Sequence, residues 1–205
     1  TQFDVNVIGI TLSKEQSEYA RARLAKIDTN RSIEIRMQGW EEFGDEKVDR
    51  IYSIGAFEHF RHEKYDAFFQ MAYDALPDDG VLLLHTISSL HPDEMKARGL
   101  PLTFDIARFI KFILTEIFPG GYLPTIDLVG EHAAKAGFTL TREQSLQPHY
   151  AKTLDHWAEA LEAHRDEAIA IQSVEVYDRY MKYLTGCADM FHRRQVDVNQ
   201  FTLQK

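Results

Sequence analysis

The stretch SIGAFEHF, residues 53–60, ends a run that is typical of a buried strand and places Glu58 and His59 between two phenylalanines. The strand-like run begins at residue 50, and short β-branched runs of this kind alternate with longer helical patterns along the chain. Strands that alternate with helices of this length predict βαβ units with right-handed crossovers and a mainly parallel sheet. We therefore predict a doubly wound α/β fold.

The predicted strands and helices extend along most of the chain. A capping box formed by Ser13 and Gln16 predicts the start of a helix. The sequence that starts at Pro77 predicts a turn after the helix 64–76. The last two strands, 138–146 and 196–204, are compatible with an antiparallel edge hairpin. The other predicted strands are 5–10, 32–37, 50–55 and 81–87, and the predicted helices are 13–27, 64–76, 104–118, 125–136, 150–169 and 173–192.

Length, charge and composition favour one acidic globular domain over residues 1–205. A hydrophobic content of 44% is enough to fill a core, and a net charge of −9 without a Lys/Arg-rich block disfavours a nucleic-acid partner. The longest apolar run, 81–84, is far shorter than the roughly 20 residues of a transmembrane helix. Cys187 is the single cysteine, and we find no signal-peptide pattern, so we expect a cytoplasmic protein without a transmembrane segment. We predict no metal site.

Polar residues follow three of the predicted strands. Thr11 and Gln16 come after the first strand, Glu58 after the third and His85 near the end of the fourth. Ligands of open α/β sheets bind outside the carboxyl ends of the strands. A lone histidine at a strand end is more often a hydrogen-bonded structural residue, but we expect these positions to converge on one rim, which favours a functional site.

Seven segments resemble the S-adenosylmethionine-dependent cyclopropane-fatty-acyl-phospholipid synthases, most closely the group of mycolic acid cyclopropane synthases and mycolic acid methyltransferases. The segments are VIGITLSKEQ (7–16), QGWEEF (38–43), DRIYSIGAFEHF (49–60), LLLHTI (82–87), RFIKFILTEIFPGGYLP (108–124), QSLQPHYAKTLDHW (144–157) and YMKYLTGCADMF (180–191). The resemblance implies a class I, Rossmann-like methyltransferase fold with helical excursions over the active site.

The start of the chain departs from the family pattern. Methyltransferases of this fold begin the cofactor site with a Gly-rich turn after a first strand, and no glycine cluster precedes Val5. The first predicted strand corresponds to the second strand of the family. We therefore expect that the chain lacks an N-terminal segment of the family.

The resemblance implies that the first loop helps to bind S-adenosylmethionine. Thr11, Leu12, Ser13 and Gln16 resemble the part that holds the adenosine ribose, with Gln16 reaching the hydroxyls. Many relatives of the fold use an acidic residue there, and the carbonyl oxygen of an amide can accept the same hydrogen bonds.

A second segment resembles the part of the family that contacts the adenine. Trp40, next to Gly39, would give the ring a flat apolar wall, and Glu41 would accept a hydrogen bond from the exocyclic amine. The alternative is that Trp40 is an ordinary packing aromatic residue.

The family reaction explains a glutamate in an apolar setting. An unactivated alkene attacks the sulfonium methyl group and leaves a carbocation, which must lose a proton before a cyclopropane ring closes. Such a site must be dry, and it needs a base where positive charge develops. Glu58, His85 and Tyr150 match the family's ligands for a bound bicarbonate ion that removes the proton, with the backbone near Ile87 contributing.

Two of the candidate catalytic residues have structural alternatives. Glu58 alone is equally compatible with an ion pair to His59 or His62. Cys187 matches a cysteine that has been proposed as catalytic in the family, but it lies on an apolar face of its predicted helix. A free cysteine in such a place is usually a small buried hydrophobic residue.

The lipid side of the reaction has its own candidates. Helix 104–118 is apolar around most of its circumference, which predicts either a core helix or the wall of a long hydrophobic channel. The resemblance favours the channel and makes Phe118, Leu154 and Tyr183 its candidate lining residues.

The acyl chain is expected on acyl carrier protein. That partner is acidic, so we expect it to meet a local basic cluster despite the negative charge of the whole chain. The candidates are His192, Arg193 and Arg194, or Lys96 and Arg98.

Two other functions stay open at this stage. In a sister enzyme of the same family, water captures the cation and gives a hydroxylated methyl branch instead of a ring. In a different class of protein, the chain would be a non-catalytic lipid-binding module.

Overall fold

A computed structural model describes residues 3–100 and 102–205, and the chain divides into two compact units, one that ends at Lys47 and one that spans Val48–Lys205. Among the described residues, no helix combines the length and the apolar character that crossing a membrane requires. The prediction of a single domain over 1–205 stays a prediction.

The first unit contains a two-stranded parallel sheet, in which β1 (Val7–Thr11) pairs with β2 (Ile33–Met37). Helix α1 (Lys14–Leu24) connects the strands. Ser13 is its N-cap, and the hydroxyl oxygen of Ser13 accepts a hydrogen bond from the Gln16 backbone N–H at 3.2 Å. The side chain of Gln16 bonds to another residue, so only half of the expected capping box forms. A short 3₁₀ helix, Trp40–Glu42, follows β2.

The second unit contains a four-stranded sheet with the order β3-β4-β6-β5. Strands β3 and β4 are parallel, whereas β6 is antiparallel to both of its neighbours. The last two strands of the chain pair antiparallel at one edge, as predicted, but they do not form a hairpin, because three helices separate them in sequence. We predicted a mainly parallel sheet, but in this unit two of the three strand pairs are antiparallel. The strands are β3 (Arg50–Ile54), β4 (Val81–Ser89), β5 (Thr139–Ser145) and β6 (Val196–Gln204).

Seven α-helices of the described residues accompany this sheet. They are α2 (Tyr65–Ala75), α3 (Pro92–Ala97), α4 (Phe104–Phe112), α5 (Ile126–Ala136), α6 (Gln147–Ala163), α7 (Arg165–Ile171) and α8 (Val174–His192).

Two helix predictions need correction. The helix predicted over 150–169 is two helices, because His164 between them has a non-helical backbone, with φ −112° and ψ 28°. The helix predicted over 104–118 is α-helical only to Phe112 and continues as a π-helical turn at Ile113–Ile117. Helix α3 was not predicted, although Pro92 at its start is typical of a first helical turn.

Strand β6 joins the sheet to a hydrophobic cluster formed with α6 and α8. Val198 is fully buried and packs in one cluster with Leu154 and Leu184. This packing holds α6 against the sheet near β4, and it places a tyrosine of α6 next to the polar residues of that strand.

Candidate active site

Glu58 lies on a 3₁₀ turn, Phe57–His59, that follows β3. Its side chain is buried, and its Oε1 accepts a hydrogen bond of 2.6 Å from the backbone N–H of Ile87 on β4. Its backbone carbonyl accepts a hydrogen bond from the backbone N–H of Tyr122 at 3.0 Å. These contacts fix the carboxylate at the end of two parallel strands.

The second carboxylate oxygen of Glu58 is a buried acceptor without a partner. Among the described residues, no donor reaches Oε2. Most buried polar atoms in proteins are hydrogen-bonded, and a carboxylate oxygen without a donor is costly. The atom is therefore suited to a ligand that carries a hydrogen-bond donor.

His85 and Tyr150 form the second part of the polar cluster. His85 is buried on β4, and its Nε2 lies 3.1 Å from the hydroxyl oxygen of Tyr150 on α6. Burial lowers the pKa of His85, with the charge of Glu58 acting in the opposite direction. Burial raises the pKa of Tyr150, and the charge of Glu58 adds to this effect. Near neutral pH the imidazole is therefore neutral and the phenol keeps its proton.

An aromatic cluster surrounds the turn that carries Glu58. Phe57 is fully buried, stacks on Tyr65 with a centroid distance of 4.2 Å, and meets Phe60 edge-on at 5.6 Å. The hydroxyl of Tyr65 is buried and has no partner among the described residues. The carboxylate thus lies beside apolar rings, as the sequence predicts.

The ion pairs of the described residues include none between Glu58 and His59 or His62. The ring of His59 contacts Phe118, and the ring of His62 packs on aromatic neighbours instead. The structure therefore does not support the alternative in which Glu58 serves only as the partner of a neighbouring histidine.

The three candidate channel residues lie in or beside the cluster between α6 and α8. Phe118 meets Tyr183 edge-on with a centroid distance of 5.9 Å. Leu154 is buried in this cluster, and both Tyr183 and Cys187 pack against it. Burial raises the pKa of the Cys187 thiol to about 12, so the thiolate is disfavoured near neutral pH. These surroundings favour the packing role of Cys187.

In the first unit, the candidate ribose-binding loop is ordered by its own hydrogen bonds. Thr11 donates its hydroxyl hydrogen to Oε1 of Gln16 at 2.8 Å and accepts a bond from the Ser13 backbone N–H at 3.1 Å. The side chain of Leu12 is 76% exposed. The carbonyl oxygen that was expected to meet a ribose hydroxyl thus already has one donor, and its second lone pair can still accept.

The candidate adenine-binding segment starts at Gly39, whose backbone N–H donates to Glu42 Oε1 at 3.2 Å. Trp40 is only 9% exposed, whereas Glu41 is exposed. A largely buried indole is compatible both with packing and with a wall that shows one edge to a ligand, so both interpretations of Trp40 stay open.

Most of the candidate basic residues contact a carboxylate within the protein. His192 lies 2.8 Å from Asp155, Arg193 lies 2.8 Å from Asp189, and Arg98 pairs with Glu94. Lys96 and Arg194 are exposed and form no ion pair within the described part of the chain.

Comparison with known proteins identifies the family. The sequence profile of the mycolic acid cyclopropane synthetase family matches residues 1–201. The chain belongs to this family. It is 62% identical over 204 residues to cyclopropane mycolic acid synthase 1 of Mycobacterium tuberculosis, a match that covers 100% of the chain and 71% of that relative. Methoxy mycolic acid synthase MmaA3 of the same organism is 59% identical, with coverage of 100% and 69%.

Solved structures of this mycolic acid cyclopropane synthetase family include a protein with nearly the same backbone. The crystal structure of mycolic acid cyclopropane synthase CmaA1 complexed with SAH and CTAB has a TM-score of 0.94 and 62% identity, and it covers 100% of the chain and 71% of that protein. The predicted class I methyltransferase fold is confirmed, and so is the predicted enzyme class, an S-adenosylmethionine-dependent methyltransferase of the cyclopropane synthase type.

One polar neighbour of His85 was not predicted from the sequence. Gln200 on β6 places its amide nitrogen 3.2 Å from Nδ1 of His85. No local motif marks this glutamine, because its position depends on the pairing between β4 and β6.

Proposed function

We propose that this chain transfers a methyl(ene) carbon from S-adenosylmethionine to a double bond of a long meromycolic-type acyl chain and forms a cyclopropane ring. The observation that carries the proposal is the buried, half-satisfied carboxylate of Glu58 next to the His85–Tyr150 pair in an aromatic setting. S-adenosylmethionine, when bound, supplies the electrophilic methyl group. Residues 11–16 and 39–41 are our candidates for holding it.

The polar cluster fits a small oxyanion that still carries one hydrogen. Such an ion can donate that hydrogen to Oε2 of Glu58, the buried acceptor without a partner. The hydroxyl of Tyr150 keeps its hydrogen and can donate it to one of the remaining oxygens, and the neutral imidazole of His85 holds this hydroxyl in place. Bicarbonate meets this description and would supply the base for the proton of the carbocation.

The resemblance implies that the backbone near Ile87 contributes to the ion site. Its N–H donates to Glu58 rather than lying free for an ion. We infer that Ile87 acts on a bound ion through the carboxylate, by fixing Oε1 and leaving Oε2 directed at the ligand.

The aromatic residues around Glu58 would keep water away from a cation. Phe57 is fully buried, and Phe60 and Tyr65 pack on its ring. Exclusion of water decides between a ring and a hydroxylated branch, because water competes with loss of the proton. The sister methyltransferase that gives the hydroxylated branch stays an alternative, since this chain is 59% identical to a methoxy mycolic acid synthase.

We further propose that the lipid lies along Phe118, Leu154 and Tyr183, and that acyl carrier protein delivers it. Lys96 and Arg194 are the cationic residues of the two candidate clusters that form no ion pair in the described residues. An acidic carrier protein would therefore meet these two charges more readily than those of Arg98 or Arg193.

Product analysis tests the proposal. The protein is incubated with methyl-labelled S-adenosylmethionine and an unsaturated long-chain acyl substrate, and the lipid is analysed by mass spectrometry and NMR. We expect the label in a cyclopropane methylene. A labelled methyl group beside a hydroxyl would indicate the sister reaction, and lipid binding without transfer of label would indicate a lipid-binding module.

A further inference from the structure

His85 has a hydrogen-bonding neighbour at each ring nitrogen. It lies directly opposite Gln200 in the antiparallel register of β4 and β6. The side-chain amide nitrogen of Gln200 lies 3.2 Å from Nδ1, and the hydroxyl oxygen of Tyr150 lies 3.1 Å from Nε2. The two neighbours differ chemically, because a hydroxyl can donate or accept whereas an amide NH₂ only donates.

This asymmetry assigns the hydrogen of the imidazole. With the amide nitrogen of Gln200 turned towards Nδ1, Nδ1 is the acceptor and carries no hydrogen. A neutral imidazole has one N–H, so the hydrogen is on Nε2 and points at Tyr150. Burial of His85 lowers its pKa and keeps the ring in this neutral form near neutral pH.

We propose that Gln200 is a positioning residue that holds His85 as the Nε2–H tautomer, so that Tyr150 faces the ligand site as a hydrogen-bond donor. Nε2–H donates to the Tyr150 oxygen, which leaves the phenolic hydrogen free for another acceptor. The part that concerns a bound oxyanion rests on the proposed function, whereas the tautomer itself does not.

The opposite tautomer would change the chemistry of the site. A bare Nε2 would accept the phenolic hydrogen, and neither group would then offer a hydrogen to an anion. With Gln200 in place, the only lone pair of the neutral ring is on Nδ1 and is taken up by the amide. His85 therefore does not remove the proton in this enzyme, and the base is another group.

Nitrogen NMR of the histidines tests the tautomer directly. The full-length protein is labelled with ¹⁵N-histidine, and long-range ¹H–¹⁵N correlations separate protonated from bare ring nitrogens. The signals of His85 are identified by their absence in His85→Asn. We expect Nε2 protonated and Nδ1 bare in the wild type. In Gln200→Glu, the carboxylate can only accept, so Nδ1 gains a hydrogen.

Gln144 offers a matched control. It lies opposite Gln200 on β5, and its side chain accepts a hydrogen bond from Arg142 at 2.6 Å. Gln144→Leu should leave the His85 signals as they are in the wild type. A wild-type spectrum with hydrogen on Nδ1 would overturn the proposal, and so would an unchanged Nδ1 in Gln200→Glu. The wild-type spectrum decides even if a variant does not fold.

Kinetics separate positioning from mere packing. We expect Gln200→Leu to lower kcat about tenfold with little change in the KM for lipid, by analogy with the loss found when partners that orient metal-binding histidines are removed. Gln144→Leu should change neither kcat nor the KM for lipid. An unchanged kcat in a folded Gln200→Leu would refute the positioning role. If wild-type turnover is independent of bicarbonate while Nε2 is protonated, the ion assignment fails and the role of Gln200 on His85 stands.

Discussion

The backbone N–H of Ile87 donates a 2.6 Å hydrogen bond to Oε1 of Glu58, and this bond ties the turn after β3 to the neighbouring strand near its carboxyl end. The bond gives one carboxylate oxygen of Glu58 a backbone donor. The two carboxylate oxygens therefore differ in hydrogen bonding: Oε1 accepts the bond from Ile87, whereas Oε2 is buried without a hydrogen-bond partner among the described residues. The chemistry that we propose depends on that inequality.

Glu58→Gln tests the role of the carboxylate. The amide is nearly isosteric, and its carbonyl oxygen can still accept from Ile87, so the fold should survive. The variant replaces the acceptor Oε2 by an NH₂ group and removes the charge. We expect turnover to fall roughly 10²-fold or more, the scale of a lost general base or charge-stabilising group. Circular dichroism checks the fold, and label transfer from S-adenosylmethionine gives the rate.

Glu63→Gln is the matched control for this substitution, because Glu63 is exposed on the next turn. It should keep wild-type turnover. Removing bicarbonate from the buffer should also slow the wild type, and adding it back should restore the wild type more than Glu58→Gln. Near-normal turnover of Glu58→Gln in carbonate-free buffer would refute the assignment.

Trp40→Ala tests the proposed adenine wall. If the indole contacts the base, the substitution should weaken cofactor binding by about 1–3 kcal/mol, by analogy with bases stacked on aromatic side chains. Isothermal titration of the full-length protein with S-adenosylmethionine measures the loss. Trp157→Ala, which changes the other and exposed tryptophan, should leave the affinity unchanged. An unchanged affinity in Trp40→Ala would assign Trp40 to packing alone.

The sequence predicts the local elements well because their patterns are local. Strand β6 (Val196–Gln204) has the predicted bounds, and its buried residues repeat every second position over much of its length. The break at His164 was not predicted, because it depends on one non-helical backbone conformation within a helical pattern. The π-helical turn at Ile113–Ile117 equally leaves no trace in the spacing of apolar residues.

The candidate site was predictable only in part. Glu58 and His85 stand at strand ends, and a motif marks Tyr150, so these residues can be found from the sequence. Gln200 cannot, because its contact with His85 arises from the register between strands that lie 115 residues apart. The unsatisfied oxygen of Glu58 is likewise a property of the packed structure.

Cys187→Ala distinguishes catalysis from packing at the single cysteine. Because burial raises the pKa of the thiol to about 12, we expect no thiolate chemistry near neutral pH. The variant should keep most of its turnover and lose about 1 kcal/mol of unfolding free energy, the scale of one small buried group. Urea denaturation and label transfer measure the two quantities. A loss of turnover without a loss of stability would point to a catalytic thiol.

Charge reversal tests the proposed contact with acyl carrier protein. Lys96→Glu and Arg194→Glu should each raise the KM for a carrier-linked acyl substrate several-fold, and the effect should weaken at high salt. Lys152→Glu makes the same change at another exposed lysine and should have little effect. A KM that is insensitive to all three substitutions and to salt would argue against this docking surface.

The low pKa of His85 predicts how the stability of the protein depends on pH. The unfolded histidine, with a pKa near 6.5, takes up a proton before the buried one does. Above pH 6.5 both forms are neutral and the contribution of His85 is complete. As the pH falls from 6.5 through the lower folded value, the unfolded state gains protons and the free energy of unfolding decreases.

Urea denaturation of the wild type should show this decrease, and His85→Asn should show less of it. His156→Asn, at an exposed histidine, should follow the wild type. Equal pH dependence in the wild type and His85→Asn would mean that His85 does not titrate as its burial requires.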